Sequence, residues 1–287
     1  NTWGWEGHVD VDVLKGQDFR WNVGLNLSHT GSEVVELPEN LTEFYDAYTW
    51  NSGNIRNGVM KGYPITTITG RAWERNKNGD ILISPTTGQP VISSAWSILG
   101  NREPKLRFGI TTNVSYKNFR LSAMFQGRWK ADVVNATLRD LTGSGLSDLS
   151  VDLRESGQHV FKGVLKDGKE NSANPTINTI SVDFDKVRYA GNDEDWVQHN
   201  INYIRCQELR LSYIVPTAWL AKVTNNTISG VTVYVSGNDL FTITNYKGTD
   251  VAGNTVSAAA GGTGGEGYDC WSLPTPRTYS FGLSVTF

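Results

Sequence analysis

The chain has 287 residues with 29 acidic and 26 basic side chains, and its formal net charge is −3. It therefore has no basic excess that would point to a nucleic-acid partner. Charged residues make up 19% of the chain, below the usual share of about 25%, and hydrophobic residues make up 38%. No apolar run reaches the roughly 18 residues of a membrane-spanning helix, which leaves a soluble β-protein or a membrane β-barrel.

Alternation of apolar and polar residues predicts β-strands along most of the chain. From residue 19, for example, Phe19, Trp21, Val23 and Leu25 alternate with polar or small neighbours. Each such segment has about ten residues, the length of a tilted transmembrane strand. The nine predicted strands are 3–14, 19–29, 62–75, 80–93, 105–116, 119–130, 203–215, 231–245 and 277–287. A short helix is predicted at 218–223.

The connections differ sharply in length. Tight turns are predicted at 15–18 and 117–118, whereas 30–61, 131–200 and 247–275 are long and polar. Short turns on one side and long loops on the other are typical of transmembrane barrels. Aromatic girdles would account for the tryptophans at or near strand ends, which are Trp3, Trp5, Trp21, Trp129 and Trp219.

We therefore predict an all-β fold, an antiparallel transmembrane β-barrel segment with long extracellular loops. The alternative is a soluble β-sandwich, whose strands also alternate. Residue 1 is Asn and the first methionine is Met60, so we expect the chain to be processed or to be part of a longer one. An odd number of strands with two open edges also predicts that earlier strands are missing.

The polar positions of the predicted strands are candidates for lining a pore. Wide barrels have a wet, polar lumen, so none of these side chains needs a ligand to be satisfied. As a set they would contact a plug and tune passage. The candidates are Arg20, Asn22, Asn26, Arg107, Asn113, Lys117, Arg120, Gln126, Arg128, Glu208 and Arg210.

Aromatic residues in the predicted loops are candidates for substrate contact. Flat rings stack on sugar faces and on peptide side chains while they bury a large area. Packing among the loops or against a lid is an equally good explanation, and the loop at 131–200 is the expected lid contact. The candidates are Tyr45, Tyr48, Trp50, Trp96, Trp196 and Trp271.

The C-terminus has a polar-x-Gly-x-x-hydrophobic-x-aromatic pattern. An amphipathic strand with a terminal aromatic residue can pair with the edge of another barrel and anchor at the membrane interface. The pattern resembles the signal by which outer-membrane barrels are recognised for insertion, although an ordinary last strand would also fit. Its residues are Ser280, Gly282, Val285 and Phe287.

Other motifs give weaker signals. Acidic residues that could hold calcium lack the EF-hand spacing, so a solvated loop is favoured and no metal or cofactor is predicted. These are Asp183, Asp185, Asp193, Glu194 and Asp195. Gly262–Gly267 matches G-x-G-x-x-G but opens no helix, so it is rejected as a nucleotide site. Cys206 and Cys270 could form a disulfide near the outer end of the barrel, and no enzyme constellation is present.

Several segments, taken together and in order, resemble the SusC/RagA family of TonB-dependent outer-membrane transporters. The resemblance covers most of the chain and is densest after Leu99. One departure is Gly248–Val251, where the family usually continues after Asp with Pro-Glu. The segments are Leu99–Lys105, Ser115–Ser122, Phe125–Gly127, Leu209–Pro216, Val233–Thr244, Tyr246–Gly248 and Pro274–Thr278.

The resemblance implies that residues 1–287 are the C-terminal part of a 22-stranded barrel. It implies a plug and a TonB-contacting segment that are not in this chain, outer-membrane lipid around the barrel, and a SusD-like lipoprotein lid. The implied activity is TonB-powered uptake of glycans or peptides in Bacteroidota-type bacteria. A scaffold subunit of a larger outer-membrane complex is the alternative, and a surface enzyme is a distant third.

Overall fold

The structure is a computed structural model, and it describes residues 1–45, 54–183, 191–225, 227–252, 266–271 and 273–287. The strands are β1 (Thr2–Lys15), β2 (Phe19–Ser32), β3 (Glu43–Tyr45), β4 (Arg56–Met60), β5 (Thr67–Trp73), β6 (Leu82–Ile83), β7 (Ile92–Asn101), β8 (Leu106–Tyr116), β9 (Phe119–Asn135), β10 (Gln158–His159), β11 (Val164–Leu165), β12 (Val182–Asp183), β13 (Val197–Ile214), β14 (Gly230–Thr244), β15 (Tyr268–Asp269) and β16 (Thr278–Thr286). The α-helices are α1 (Ala136–Gly143), α2 (Asp148–Ser156) and α3 (Thr217–Thr224), and a 3-10 turn spans Asp193–Trp196.

Seven long strands form one antiparallel sheet in the order β1-β2-β8-β9-β13-β14-β16, and β15 adds in parallel to the end of β9. The predicted antiparallel all-β architecture is therefore confirmed. Strands β9 and β13 have 17 and 18 residues. A transmembrane strand needs only about 9–11 residues, so these two extend beyond the bilayer and carry the loops outward.

Two of the nine predicted strands lie outside this sheet, which corrects the predicted strand count. The segment 62–75 contributes β5, which joins the small sheet β3-β4-β5-β7 and is buried on both faces at 67–70. The segment 80–93 contributes only the two-residue β6 and the first two residues of β7, because Pro85 and Pro90 cannot donate hydrogen bonds to a ladder. Alternation alone does not distinguish a strand in a loop subdomain from a strand in a barrel wall.

The connections at one end of the sheet are short, as predicted. The β1–β2 turn covers 16–18, the β8–β9 turn covers 117–118, and helix α3 contains the predicted 218–223 helix. At the other end, α2 begins after Ser147, whose side chain caps a backbone N–H, and ends at Gly157, where φ is 65°. No helix within the described ranges is long and apolar enough to cross a membrane.

The seven-stranded sheet has one apolar and one polar face. On β16, the apolar side chains of Tyr279, Phe281 and Leu283 are each more than 60% exposed. Trp129 lies on this face at the long-loop end and Trp21 lies on it near the short turns. An exposed apolar band between aromatic residues is the surface that a membrane barrel presents to lipid.

The long connections pack against one another at one end of the sheet. Residues from the β2–β8 and β14–β16 connections meet residues at the outer ends of β9 and β13 in one buried cluster. It consists of Ile55, Ile68, Leu99, Val134, Val197 and Tyr268. The loops are therefore one folded cap with its own core.

Candidate ligand-contact site

Ten of the eleven predicted pore-lining residues lie on the polar face of the seven-stranded sheet. The register sets them side by side in rows across the strands. Asn22 lies opposite Asn113, Asn113 opposite Ser122, and Ser122 opposite Arg210. The same rows hold the other residues of this set, which are Arg20, Asn26, Arg107, Arg120, Gln126, Arg128 and Glu208.

Lys117 is the exception, and its predicted place in the wall is corrected. It lies in the β8–β9 turn with φ at 52°. Its ammonium is 5.5 Å from the centroid of the Tyr116 ring, whose side chain lies on the apolar face. A two-residue hairpin turn requires positive φ, so this position belongs to the turn and not to a strand.

At the long-loop end of the polar face, three arginines converge on Glu266. Its Oε1 lies 2.5 Å from Arg107 Nη1 and 2.8 Å from Arg128 Nη1. Arg102 donates to the backbone carbonyl of Glu266 at 2.6 Å, and Glu103 lies 3.1 Å from Arg107. Burial alone would raise the pKa of Glu266, but Arg128 and Arg107 hold that pKa below its ordinary value.

This arginine cluster borders a concavity of about 500 Å³ in the polar face. Four predicted pore-lining residues contribute to it, along with side chains of β1. Its polar lining includes Glu6, His8, Asn26, Arg107, Gln126 and Arg128. The concavity can therefore offer both guanidinium and amide groups to a solute.

A second buried network anchors the β14–β16 connection. Tyr246 Oη donates to Asp269 Oδ2 at 2.6 Å, and Thr137 Oγ1 donates to Asp269 Oδ1 at 2.9 Å. Burial raises the pKa of the Asp269 carboxyl and also that of the Tyr246 phenol. This network ties the start of α1 to the loop that carries Glu266.

The predicted acidic cluster has a structural role. Asp193 Oδ2 accepts the backbone N–H of Arg71 at 2.7 Å, and Glu194 Oε2 accepts that of Trp73 at 2.9 Å. Asp195 accepts the indole N–H of Trp73 at 2.9 Å. The carboxylates of the 3-10 turn therefore accept hydrogen bonds from the edge of β5 and hold the turn against it.

This arrangement of carboxylates does not support a calcium-binding site. Among the residues that the structure describes, no group of three His, Cys, Asp or Glu side chains is placed to hold a metal ion. Asp183 lies in β12, and Asp185 lies outside the described residues. The Cys206–Cys270 disulfide considered above is not present in the structure.

Two of the predicted loop aromatics share one concavity. Trp196 and Trp271 line a space of about 580 Å³ together with Arg139 and Asp140. Trp196 is half-buried, whereas Trp271 is 60% exposed. Two indoles beside an ion pair can hold a ligand that has both flat apolar faces and polar groups.

The other loop aromatics are placed differently. Trp96 lies in β7 and is covered by cations, with Arg56 3.6 Å and Arg71 4.9 Å from its ring centroid. Tyr45 ends β3. Tyr48, Trp50 and the start of the rejected glycine motif, at 262–265, lie outside the described residues.

The C-terminal pattern lies in the last strand. Ser280 and Gly282 are within β16 opposite Ser236 and Tyr234, and Val285 is opposite Val231. The Phe287 side chain is 85% exposed on the end of the strand. The insertion signal itself stays a prediction.

Comparisons with known proteins give one consistent result. The TonB-dependent receptor P3 of Formosa agariphila is 26% identical over 304 aligned residues, which cover 99% of this chain and 28% of that protein. TonB-dependent receptor P26 of the same organism is also 26% identical and is covered to 29%. No protein-family profile matches the chain. The chain thus spans under a third of the length of these relatives.

Solved structures show the same fold. The RagAB peptide transporter matches all of this chain with a TM-score of 0.63 at 18% identity, and 29% of that chain is covered. The RagAB peptide importer in the closed-closed state matches with a TM-score of 0.64 at 17% identity. The resemblance to the SusC/RagA family is confirmed. The chain has the fold of part of an outer-membrane β-barrel wall, as a sheet that is not closed.

The sequence reasoning missed the residues that anchor the loops. Glu266 and Asp250 each sit in polar, glycine-rich sequence that suggested solvent exposure. Their partners Arg107 and Arg205 lie 159 and 45 residues away in the chain. The arginines on the polar parity were the available signal, because a half-buried guanidinium needs a counter-ion.

Proposed function

We propose that this chain forms part of the wall and the outer cap of a SusC-like TonB-dependent importer in the outer membrane. The observation that carries the proposal is the combination of a polar wall with a cap of co-packed loops at its outer end. The curated relatives are TonB-dependent receptors, and the RagAB structures are described as peptide importers. These relatives are receptors and transporters and not enzymes.

The proposed partner at the outer face is a SusD-like lipoprotein. The connection between β9 and β13 exposes large apolar side chains away from the membrane band, and such residues favour a protein contact. They are Leu146, Leu149, Val160 and Ile177, which are 46–74% exposed. The TonB complex would act through an N-terminal part of a longer receptor.

The proposed substrates are glycans or peptides. The concavity that contains Trp196 and Trp271 supports either class, because indole rings stack on sugar faces and on side chains. Ligand captured there would pass to the arginine-lined concavity in the wall. The proposed route therefore runs from the cap to the lumen along this chain.

Uptake by the intact receptor tests the proposal. The receptor gene is deleted in the bacterium that carries it, then restored as wild type, as a Trp196→Ala/Trp271→Ala variant or as Trp219→Ala. Labelled oligosaccharide and peptide mixtures are supplied, with and without an uncoupler that removes the proton-motive force. We expect uncoupler-sensitive uptake that the double variant weakens and that Trp219→Ala, at the opposite end of the sheet, leaves unchanged.

Equal uptake of every solute by the deletion strain would contradict import. A stable complex that contains the receptor but never changes solute entry would favour the scaffold alternative. Co-purification of a lipoprotein with the wild-type receptor tests the partner separately.

A further inference from the structure

The Arg107–Arg128 pair is built into the wall. The two residues lie directly opposite each other on β8 and β9, so the sheet sets their spacing. Both guanidiniums reach the same atom, Glu266 Oε1, at 2.5 Å and 2.8 Å. Two arginines that converge on one oxygen form a preorganised receptor for an anion, because guanidinium groups match the geometry of carboxylate and sulfate-like oxygens.

The pair is open to solutes. The side chains of Arg107 and Arg128 are 33% and 20% exposed, and that of Glu266 is 34% exposed. Two other carboxylates are near: Glu6 lines the adjoining concavity, and Glu103 Oε1 is 3.1 Å from Arg107 Nη2. When the Glu266 carboxylate moves away, these two carboxylates face the three guanidiniums of Arg102, Arg107 and Arg128, so an excess of positive charge remains.

Glu266 can move its carboxylate without losing its backbone position. Arg102 holds its carbonyl oxygen at 2.6 Å. Tyr268, two residues later, is 1% exposed and pairs with Val134 of β9. A rotation of the Glu266 side chain alone is therefore enough to vacate the arginine pair.

We propose that the Arg107–Arg128 pair binds an anionic group of the ligand, a carboxylate or a sulfate, and that Glu266 occupies this site until the ligand displaces it. The inference deepens the proposed import and rests on it, because it names the class of ligand as anionic. Glu266 is an intramolecular competitor. The apparent affinity for an added anion is reduced by the fraction of receptor in which Glu266 fills the site.

Calorimetric titration of the purified, full-length receptor in detergent tests the site with two probes, sodium sulfate and sodium acetate, against a chloride background of matched ionic strength. Glu266→Gln removes the competing charge and keeps the side-chain shape. We expect it to raise the affinity for at least one probe by roughly tenfold, the scale of a hydrogen bond to a charged group. Adding Arg107→Gln and Arg128→Gln to Glu266→Gln should abolish that gain.

Arg154→Gln is the matched control, because Arg154 is an exposed arginine on α2, outside the wall. It should leave both titrations unchanged. Equal affinity in the wild type and in Glu266→Gln overturns the proposal, and so does a gain that persists without the two arginines. If Glu266→Gln fails to fold, Glu266→Asp gives the same test, because its shorter carboxylate should yield a smaller gain in the same direction; no gain overturns the proposal.

The titrations are independent of import. If Glu266→Gln gains affinity for the anion but the receptor imports no solute, the anion site is supported and the proposed function is contradicted. If the receptor imports solutes but Glu266→Gln gains no affinity, the proposed function is supported and the anion site is contradicted.

Discussion

Arg205 on β13 and Asp250 in the β14–β16 connection form an almost fully buried ion pair, with side chains that are 8% and 3% exposed. Asp250 also accepts the backbone N–H and the hydroxyl of Thr275 at 3.0 Å and 2.7 Å. One carboxylate thus ties both ends of this connection to the wall. The loop that carries Glu266 is therefore attached to the wall through Asp250 and Thr275.

Asp250→Asn should destabilise the receptor strongly. It leaves the Arg205 guanidinium buried without its main counter-charge, which typically costs about 3–5 kcal/mol. Denaturant unfolding of the receptor in lipid vesicles measures the loss. Asp239→Asn is the control, because Asp239 is 3.8 Å from Arg205 and 25% exposed; it should cost under about 1 kcal/mol. Equal losses in the two variants would contradict the assignment.

Because of the Asp250 carboxylate, we expect the stability of the receptor to depend on pH in the acidic range. Burial alone would raise the pKa of Asp250, but hydrogen bonds from Thr275, Ala252 and Arg205 lower the pKa to about 2, from an ordinary value of 3.8. When the pH is above the ordinary pKa of 3.8, ionised Asp250 contributes its full stabilisation to the fold. This contribution is lost as the pH falls toward the lowered pKa of about 2. The stability difference between wild type and Asp250→Asn should therefore narrow between about pH 5 and pH 2. A difference that is constant over this range would show that ionised Asp250 is not its source.

The wall of the fold could be predicted from the sequence, because a strand with one apolar and one polar face alternates apolar and polar residues with a period of two. At Phe19–Leu27 and at Tyr279–Phe287, apolar residues lie on one face of the sheet and polar residues lie on the other, so the parity is plain in the sequence. Strand β5 shows where this fails. Its Thr67–Gly70 segment is buried on both faces inside the cap, and the sequence contains no signal that separates this environment from a membrane wall.

The sequence indicated which residues could form the candidate site, but it did not indicate which residues contact one another there. Trp196 and Trp271 stand out in polar sequence, and the structure brings them to one concavity. Trp96 has the same signal but is stacked under Arg56. Long-range pairing decides between these outcomes, and single-sequence pattern carries no information on which loop arginine reaches which ring.

A glycine in the C-terminal strand lies against an aromatic ring and leaves no space for a side chain. Gly282 lies opposite Tyr234, and a Cβ at Gly282 would sit 2.1 Å from the Tyr234 ring. The guanidinium of Arg210 lies 3.8 Å from the centroid of that ring, which fixes the ring in place. The aromatic side chain therefore covers the bare backbone of its cross-strand neighbour.

Gly282→Val should destabilise the barrel by about 1–3 kcal/mol, the usual cost of overpacking, and lower the amount of folded receptor in the membrane. The heat-modified mobility of the receptor on gels measures the folded fraction. Adding Tyr234→Ser to Gly282→Val removes the clash, so part of the loss should be recovered. Losses that simply add in the double variant would mean that Gly282 acts through the insertion signal alone and not through Tyr234.

Trp271 offers the sharpest test of the cap as a ligand site. Its side chain is 60% exposed and lines the concavity with Trp196, so Trp271→Ala should leave unfolding unchanged. Loss of one stacking ring should weaken binding of a transported oligosaccharide or peptide by about two- to tenfold. Fluorescence titration of the full receptor measures the affinity. Trp219→Ala is the control, because Trp219 is 58% exposed on α3 at the other end of the sheet. If both alanine variants bind the ligand as the wild type does, the Trp196–Trp271 concavity is a packing feature of the loops, and ligand contact must be sought on the arginine-lined wall.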